Sequence, residues 1–433
     1  MEGLNQNPGI MLARVALMWL VPLALLPLMI WFERKVSAFM QDRTGPNRAA
    51  IAGVRLGGIV HTFADVLKLL GKEDVVPAQV HRGYYKLAPI VALFVAQLLF
   101  VIVPFADSLT LGGQEVAMVA LRLQAGILYP LAVSSMFVYA IVMAGWASNN
   151  KFGILGGLRG AAQTVSYEVA LGLSIVGALM VYGTVDLNDM VRQQGELLGG
   201  WLPKWGIVVQ PLGALLFLVA AFAETNRTPF DLPERDAEIV AGYHTEYSAI
   251  RFASFFMAEY INMVVAAGMV VTLFFGGWQV PWLPTESLRA HAGAVLGALL
   301  ALLAVGGAGT ALVAWRWSHK LRRRYQDARR NEGVVFAVLG VLAALLGLAG
   351  LAAWHGAALP DWAPIAIAAV AQFSAFLLKT LLFAFGFIWV RWTLPSFRYD
   401  QLMRLGWKNL LPLSLANIGF TGVVLLFLES RAR

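Results

Sequence analysis

Residues 15–35 read VALMWLVPLALLPLMIWFERK: 18 residues without a charge, closed by Glu33, Arg34 and Lys35. About 20 residues of helix, rising 1.5 Å each, cross a hydrocarbon core near 30 Å. Lipid offers no partner to backbone N–H and C=O groups, so a run of this kind reads as a helix. The pattern recurs along the chain. Charge-free runs occupy 87–106, 123–150, 169–185, 205–223, 260–285, 290–315, 333–360 and 409–428, and 362–390 is interrupted by Lys379 alone. These make ten expected spans, hence an all-α, polytopic integral membrane helix bundle forming a single membrane domain over residues 1–433. The preceding MEGLNQNPGIMLA has neither the basic start nor the A-x-A site of a cleaved signal, so the first span is expected to be retained.

Composition agrees. Of 433 residues 59% are hydrophobic and 13% charged, against roughly 25% charged in a soluble domain. So few charges cannot clothe a water-soluble globule. The absence of Cys excludes disulfides, thiolate metal sites and iron–sulfur ligation. The six His sit in connections or at span edges, where they cannot face one another across a bundle to hold haem, and no metal site is expected. No phosphate-cradling glycine loop or nucleophile elbow occurs.

The net charge of +8 is a matter of topology rather than of nucleic acid. Of 33 Lys and Arg, 25 fall in the connections 33–86, 151–163, 224–251, 316–332 and 391–408. By the positive-inside rule that side is cytoplasmic and both termini face the periplasm. All Trp except Trp19 lie near span ends, as an aromatic belt requires.

The first cytoplasmic loop, 33–86, carries its own amphipathic helix. Over Arg55–Leu70, the residues Leu56, Ile59, Val60, Phe63, Val66, Leu67 and Leu70 recur at helical spacing, with Gly71 as cap and Pro77 beyond. Two readings stand: an interfacial helix on lipid headgroups, or a lid over a cavity opening sideways into the membrane.

Carboxylates near or within spans are costly unless paired or hydrated, which makes them functional candidates. Glu33, Glu168, Glu224 and Glu259 all fall on the cytoplasmic side, where they could form one connected set or merely reach to water. The connection 224–251, ETNRTPFDLPERDAEIVAGYHTEYSAIR, sets Glu224, Asp231, Glu234, Asp236, Glu238 and Glu246 against Arg227, Arg235 and Arg251. It is acidic on an otherwise basic face. Pro229 and Pro233 make Phe230–Leu232 an extended link. Glu234 and Glu238, four apart, would repel on a helix and retain a proton; a solvated acidic loop is the plainer reading.

These strings resemble a known family. ERKVSAFMQDRTGPNR (33–48), AGWASNNKFGILGGLRGAAQTVSYE (144–168), AETNRTPFDLPERDAEIVAGYHTEYSAIRF (223–252), FFMAEYINM (255–263) and LLKTLLFAFGFIWVRWTLPSFRYDQLMRLGWK (377–408) are similar to the arm-anchoring membrane subunit of bacterial NADH–quinone oxidoreductase, respiratory complex I, and its mitochondrial counterpart, NADH dehydrogenase subunit 1. The resemblance covers about residues 10–280 and 362–428. It implies a subunit that forms much of a quinone chamber and couples quinone reduction to proton translocation in the cell inner membrane. Quinone is then a substrate, nothing is bound covalently, and FMN and iron–sulfur clusters reside in partner subunits. The implied partners are peripheral-arm quinone-site subunits, antiporter-like membrane subunits and lipid. By the same resemblance Glu33, Arg34, Asp65 and Arg227 bind at the chamber. Glu168, Glu224, Asp231, Glu234, Asp236, Glu238, Glu246 and Glu259 form the coupling loop and proton path. Asp236 departs from a common Glu with its charge kept. Membrane anchors of energy-converting hydrogenases share fragments of the pattern and are the alternative.

Residues 286–358 depart further: an inserted hairpin of two spans added to an eight-span core, with its basic turn inside and a small-xxx-small face at Gly293 and Gly297. It reads as a structural or lipid-binding addition, or as a contact with a new partner.

Overall fold

The computed structural model describes residues 8–111, 114–123, 125–326, 328–354 and 359–432. In chain order the helices are α1 (Pro8–Met40), α2 (Val60–Gly71), α3 (Arg82–Phe100), α4 (Leu128–Ala147), α5 (Lys151–Tyr182), α6 (Leu187–Gln194), α7 (Gly206–Val209), α8 (Pro211–Glu224), α9 (Asp236–Ile239), α10 (Ala249–Phe274), α11 (Thr285–Ala290), α12 (Ala292–Arg324), α13 (Glu332–Trp354), α14 (Ala363–Thr393), α15 (Tyr399–Arg404) and α16 (Leu411–Ala432). Among the described residues the strands are two short antiparallel hairpins, Leu109–Leu111 with Gln114–Val116 and Leu197–Leu198 with Leu202–Pro203. The protein is an all-α, multi-pass membrane bundle.

Eight helical segments among the described residues are long and apolar enough to cross a membrane: α3, α4, α5, α10, α12, α13, α14 and the run from α15 through α16. The other two expected spans differ in kind. Residues 15–32 lie inside α1, 33 residues long. Residues 205–223 are broken into α7 and the 14-residue α8. Pro211 has no N–H and forces the residue before it out of the helical basin; Gln210 accordingly sits at φ −140°, ψ 58°. Its side chain then secures the break, donating to Thr421 Oγ1 at 2.8 Å and accepting from Asn417 Nδ2 at 3.0 Å. Such non-helical backbone survives at membrane depth only where protein covers it.

Several helices begin earlier than their apolar windows, α5 and α10 by the most. Asn150, whose side chain accepts from the Phe152 amide at 2.9 Å, caps α5, so Arg159 and Glu168 lie within the helix. Likewise α10 starts at Ala249 and carries Glu259 in its third turn. Charge-free windows miss turns whose charged side chains find partners in the protein.

The chain divides into two units. The first holds residues up to Leu26, Leu69–Trp282 and Phe373 onward. There α5 packs on α4, α8 and α16, and α10 on α3 and α8. In its apolar window 78% of α10 is buried, which makes it a core helix. α15 and α16 join through a π-helical turn, Leu405–Leu410. This turn rests on α5: Tyr167 Oη donates to the Leu402 carbonyl at 2.9 Å and Trp407 Nε1 to Ser166 Oγ at 3.0 Å.

The second unit holds Pro27–Lys68 and Leu283–Gln372. Its α12 and α13 pack against each other as a hairpin, closed by a seam of small residues. A Cβ on Gly307 would stand 2.5 Å from the Ala344 nitrogen, one on Gly340 2.6 Å from Ala311, and one on Gly347 2.6 Å from Ala304. Gly293 and Gly297, expected to supply the close-packed face, instead receive the Trp354 ring. The α12 window is only 11% buried, so most of its apolar surface faces outward. The amphipathic helix α2 also starts later than expected, because the positive φ of Gly57 (67°) and Gly58 (92°) makes Leu56–Gly58 a separate turn. Phe63, Val66, Leu67 and Leu70 are exposed along it.

Candidate functional site

The connection between α8 and α10 is held from beneath by one side chain. Gln163 of α5 is fully buried, and its amide nitrogen donates to the carbonyls of Ala223 (2.6 Å) and Phe230 (2.8 Å) and to Asn226 Oδ1 (3.0 Å). The segment between Pro229 and Pro233, expected to be extended, is instead a run of turns, the Phe230 amide donating back to the Arg227 carbonyl at 2.8 Å, and the Phe230 ring anchors it further against Tyr167 and Phe397. The Phe397 amide donates to the Pro229 carbonyl at 3.0 Å, and Arg235 reaches the Phe397 carbonyl at 2.6 Å. Gly242, at φ +53°, lies so close to the link that a Cβ would stand 1.6 Å from the Pro233 carbonyl oxygen. A side chain cannot be accommodated there.

This scaffold brings five functional groups together. Tyr243 Oη lies 3.2 Å from Glu234 Oε1 and 3.2 Å from Glu259 Oε1. His244 Nδ1 is 3.0 Å from Glu234 Oε1. Arg227 stands 3.8 Å from Glu259 Oε2, its guanidinium stacked over the Tyr260 ring at 3.8 Å. Arg227, Tyr243, His244 and Glu259 are all buried, and Glu234 is partly so. Burial dominates the electrostatics of the connection. It raises the Glu234 carboxyl, with Asp231 adding to the rise and Glu259, Arg227 and Arg391 opposing it. Burial holds the Tyr243 hydroxyl well above its usual value, helped by both carboxylates. It lowers His244 to about 4, against the pull of Glu259.

Glu234, His244 and Glu259 also place ligand atoms within 4.8 Å of one another. The Arg227 guanidinium already supplies the positive charge at Glu259, and His244 Nδ1 already meets Glu234.

The expected repulsion between Glu234 and Glu238 on one helix face does not arise. α9 is a single turn that begins after Glu234 and ends at Val240 with φ 67°. Glu238 instead turns to Arg159 (2.7 Å) and Arg235 (3.3 Å). The partner of Glu234 is Glu259, 25 residues further along the sequence. Asp236 opens α9, but its side chain lies outside the described residues. Glu246 accepts from Asn150 Nδ2 at 2.6 Å, and its carbonyl accepts from Tyr85 Oη at 2.7 Å, which ties the end of the connection to α3 and to the cap of α5.

A second acidic group lies in the same unit. Glu168 accepts from Ser135, and Glu224 is hydrogen-bonded to Ser134 within electrostatic reach of Glu168. Glu224, Thr225, Ser134, Thr164 and Asn262 line an otherwise apolar cavity of about 60 Å³. Asn262 Oδ1 and Thr164 Oγ1 are buried there without a hydrogen-bond partner. Space of this size admits a few waters, which such groups can satisfy.

Glu33, Arg34 and Asp65 belong to the second unit. Asp65 pairs with Arg34 at 2.5 Å and lies 3.8 Å from Lys68. Glu33 is buried, whereas Arg34 keeps 44% of its side-chain surface. Lys379 of α14 donates to the carbonyls of Phe275 (2.9 Å), Gly277 (3.1 Å) and Gln279 (2.7 Å). It satisfies the end of α10 and the turn after it.

Sequence reading missed Gln163, Tyr243, His244 and the serines of α4. Ser134 and Ser135, in the middle of an apolar span, were the legible signal for the last two; the others stand out only once their partners are known.

The profile of the family described as NADH dehydrogenase matches residues 12–422. An NADH-quinone oxidoreductase subunit of Solibacter usitatus is 39% identical over 98% of both chains. A subunit of the same enzyme from Bdellovibrio bacteriovorus is 38% identical over 95% of both. NADH-quinone oxidoreductase subunit 8 of Rhodothermus marinus is 39% identical over 90% of this chain and 89% of its own.

Proposed function

The chain belongs to the NADH dehydrogenase family, and from that membership we propose that it acts as the corresponding membrane subunit of a proton-translocating NADH–quinone oxidoreductase, walling much of the quinone chamber and coupling quinone reduction to proton movement. Quinone is the substrate in this reading. Having no Cys, the chain supplies no iron–sulfur ligand, and electrons arrive from FMN and clusters in partner subunits. Peripheral-arm subunits complete the chamber and antiporter-like membrane subunits receive the output. The basic side faces the cytoplasm, with both termini across the inner membrane. The relatives' names speak of NADH and quinone, which favours this reading over a hydrogenase-type anchor.

The observation that carries the coupling is Tyr243 within 3.2 Å of both Glu234 and Glu259. Reducing a quinone to a quinol takes up electrons and protons in equal number, so the chamber walled by Glu33, Arg34 and Asp65 must be resupplied with protons. A proton held between Glu234 and Glu259 is poised to leave or return as nearby charge changes, with Arg227 balancing the negative charge left behind. Asp231, Asp236, Glu238 and Glu246 set the field around the connection. Glu168 and Glu224, across hydrated space, carry the change onward.

Glu234→Gln, Glu259→Gln and Glu168→Gln, each in the assembled complex, test this. Quinone reduction and proton pumping by reconstituted vesicles are expected to fall together, while NADH oxidation by a hydrophilic acceptor at the peripheral arm stays unchanged. Normal pumping in all three would leave only an anchoring role. Ion flux through the purified chain alone would make it a transporter in its own right.

A further inference from the structure

The second unit carries a groove of about 850 Å³ that the acidic network does not use; ligand clefts run roughly 300–1,000 Å³. One wall is α1, where Phe32, Lys35, Val36 and Phe39 fall on one stripe. Glu33 and Arg34, on other faces of the same helix, do not line it. The facing wall is α12, through Gly306, Gly309, Val313, Trp317, Lys320 and Arg324.

The spacing along α12 follows one membrane leaflet. From Gly306 to Trp317 the helix rises roughly 16 Å, half of a hydrocarbon core of about 30 Å. Trp317 falls where amphipathic rings settle, at the interface. Lys320 and Arg324 follow one and two turns further out, at headgroup depth, and Lys35 joins them from α1. Among the lining residues these three cations face one carboxylate, Glu332, so the mouth is net positive.

The floor is open by composition. A Cβ on Gly306 or Gly309 would meet nothing within 4 Å, whereas one on the neighbouring Gly307 would strike the backbone of α13. Gly307 is needed to close the hairpin. Gly306 and Gly309 are not, and their effect is to leave a smooth channel beside Val313, itself 68% exposed.

We propose that this groove holds one anionic phospholipid, its acyl chains along Gly306–Val313 and its phosphate among Lys35, Lys320 and Arg324. A neutral quinone headgroup has no use for three cations, and a zwitterionic lipid has less. The inserted hairpin is thereby a lipid-binding element. This rests on membrane insertion alone and is independent of the coupling scheme.

The test uses the whole complex in phosphatidylcholine vesicles doped with phosphatidylglycerol carrying a photoreactive group at mid-chain. Illumination is expected to label peptides around residues 306–317, at roughly tenfold the yield of the same probe on a choline headgroup, as several basic contacts imply. Lys320→Glu combined with Arg324→Glu should erase that preference, and Gly309→Leu should lower labelling with either headgroup. The wild-type headgroup comparison stands even if a variant fails to assemble. Equal labelling by both headgroups, labelling that lands on a partner subunit, or displacement of the lipid by a short-chain quinone analogue would each overturn the proposal.

Discussion

The hydroxyl of Tyr243 stands 3.2 Å from the carboxylate of Glu259, fully buried and on the same side as a second acid, Glu234. A phenol so placed donates to only one oxygen at a time, so the second acid must keep a proton or draw on other donors. Tyr243→Phe removes this choice. It is expected to destabilise the connection by about 1–3 kcal/mol, the usual cost of stranding a buried polar group. Coupled quinone reduction should fall, while peripheral-arm NADH oxidation is unaffected. Both activities are measured on the same membranes.

Arg227→Met strands Glu259. Removing one partner of a buried ion pair costs about 3–5 kcal/mol. The Tyr260 ring also loses the cation stacked on it at 3.8 Å. Assembled complex, measured on native gels, is expected to drop sharply. Arg227→Lys should restore part of the amount but less of the coupling, since an ammonium lacks the planar stack.

Gly242→Ala tests close approach rather than charge. The added methyl would lie 1.6 Å from the Pro233 carbonyl oxygen on a backbone at φ +53°. A loss of roughly 4 kcal/mol or more is expected, the range of severe core defects. An assembly level equal to wild type would show that the link can move aside.

His244 makes stability depend on pH with a definite sign. Its folded pKa, about 4, lies below the ordinary 6.5 because burial disfavours the charged ring. The unfolded chain therefore binds the extra proton first, and stability falls as pH drops from 6.5 towards 4, by up to ~3 kcal/mol. Glu234 works the other way. Its raised carboxyl contributes most below its ordinary value of 4.5, and that contribution is lost as pH rises through the folded value. Melting of the complex between pH 6.5 and 4 should thus show a steeper acid loss in wild type than in His244→Gln. Parallel curves would remove His244 from the account.

Lys379→Met takes away the donor shared by three carbonyls after α10. Hydrogen bonds to a charged group contribute about 1.5–3 kcal/mol each, and losses at a shared donor do not add. Lower thermal stability with an unchanged pumping ratio is expected. A changed ratio would place Lys379 in the proton path instead.

Hydropathy along the sequence marked eight of the ten expected spans as long apolar helices, and the residue pattern marked the amphipathic α2 and the acids near the spans. Each is a local property: a helix in lipid must be apolar along its own length, and a carboxylate near it is costly wherever its partners lie. Which acids share a proton was not legible that way. Glu234 and Glu238 are matched in sequence, four residues apart, but the start of α9 at Asp236 and the pull of Arg159 separate them, and the fold gives Glu234 to Glu259. Gln163 is 67 residues from the Phe230 carbonyl it holds, and Gln210 is 211 from Thr421. A buried polar atom is satisfied by whatever the packing brings within 3 Å or so. That choice belongs to the tertiary structure, because only chain closure decides which distant groups leave water together.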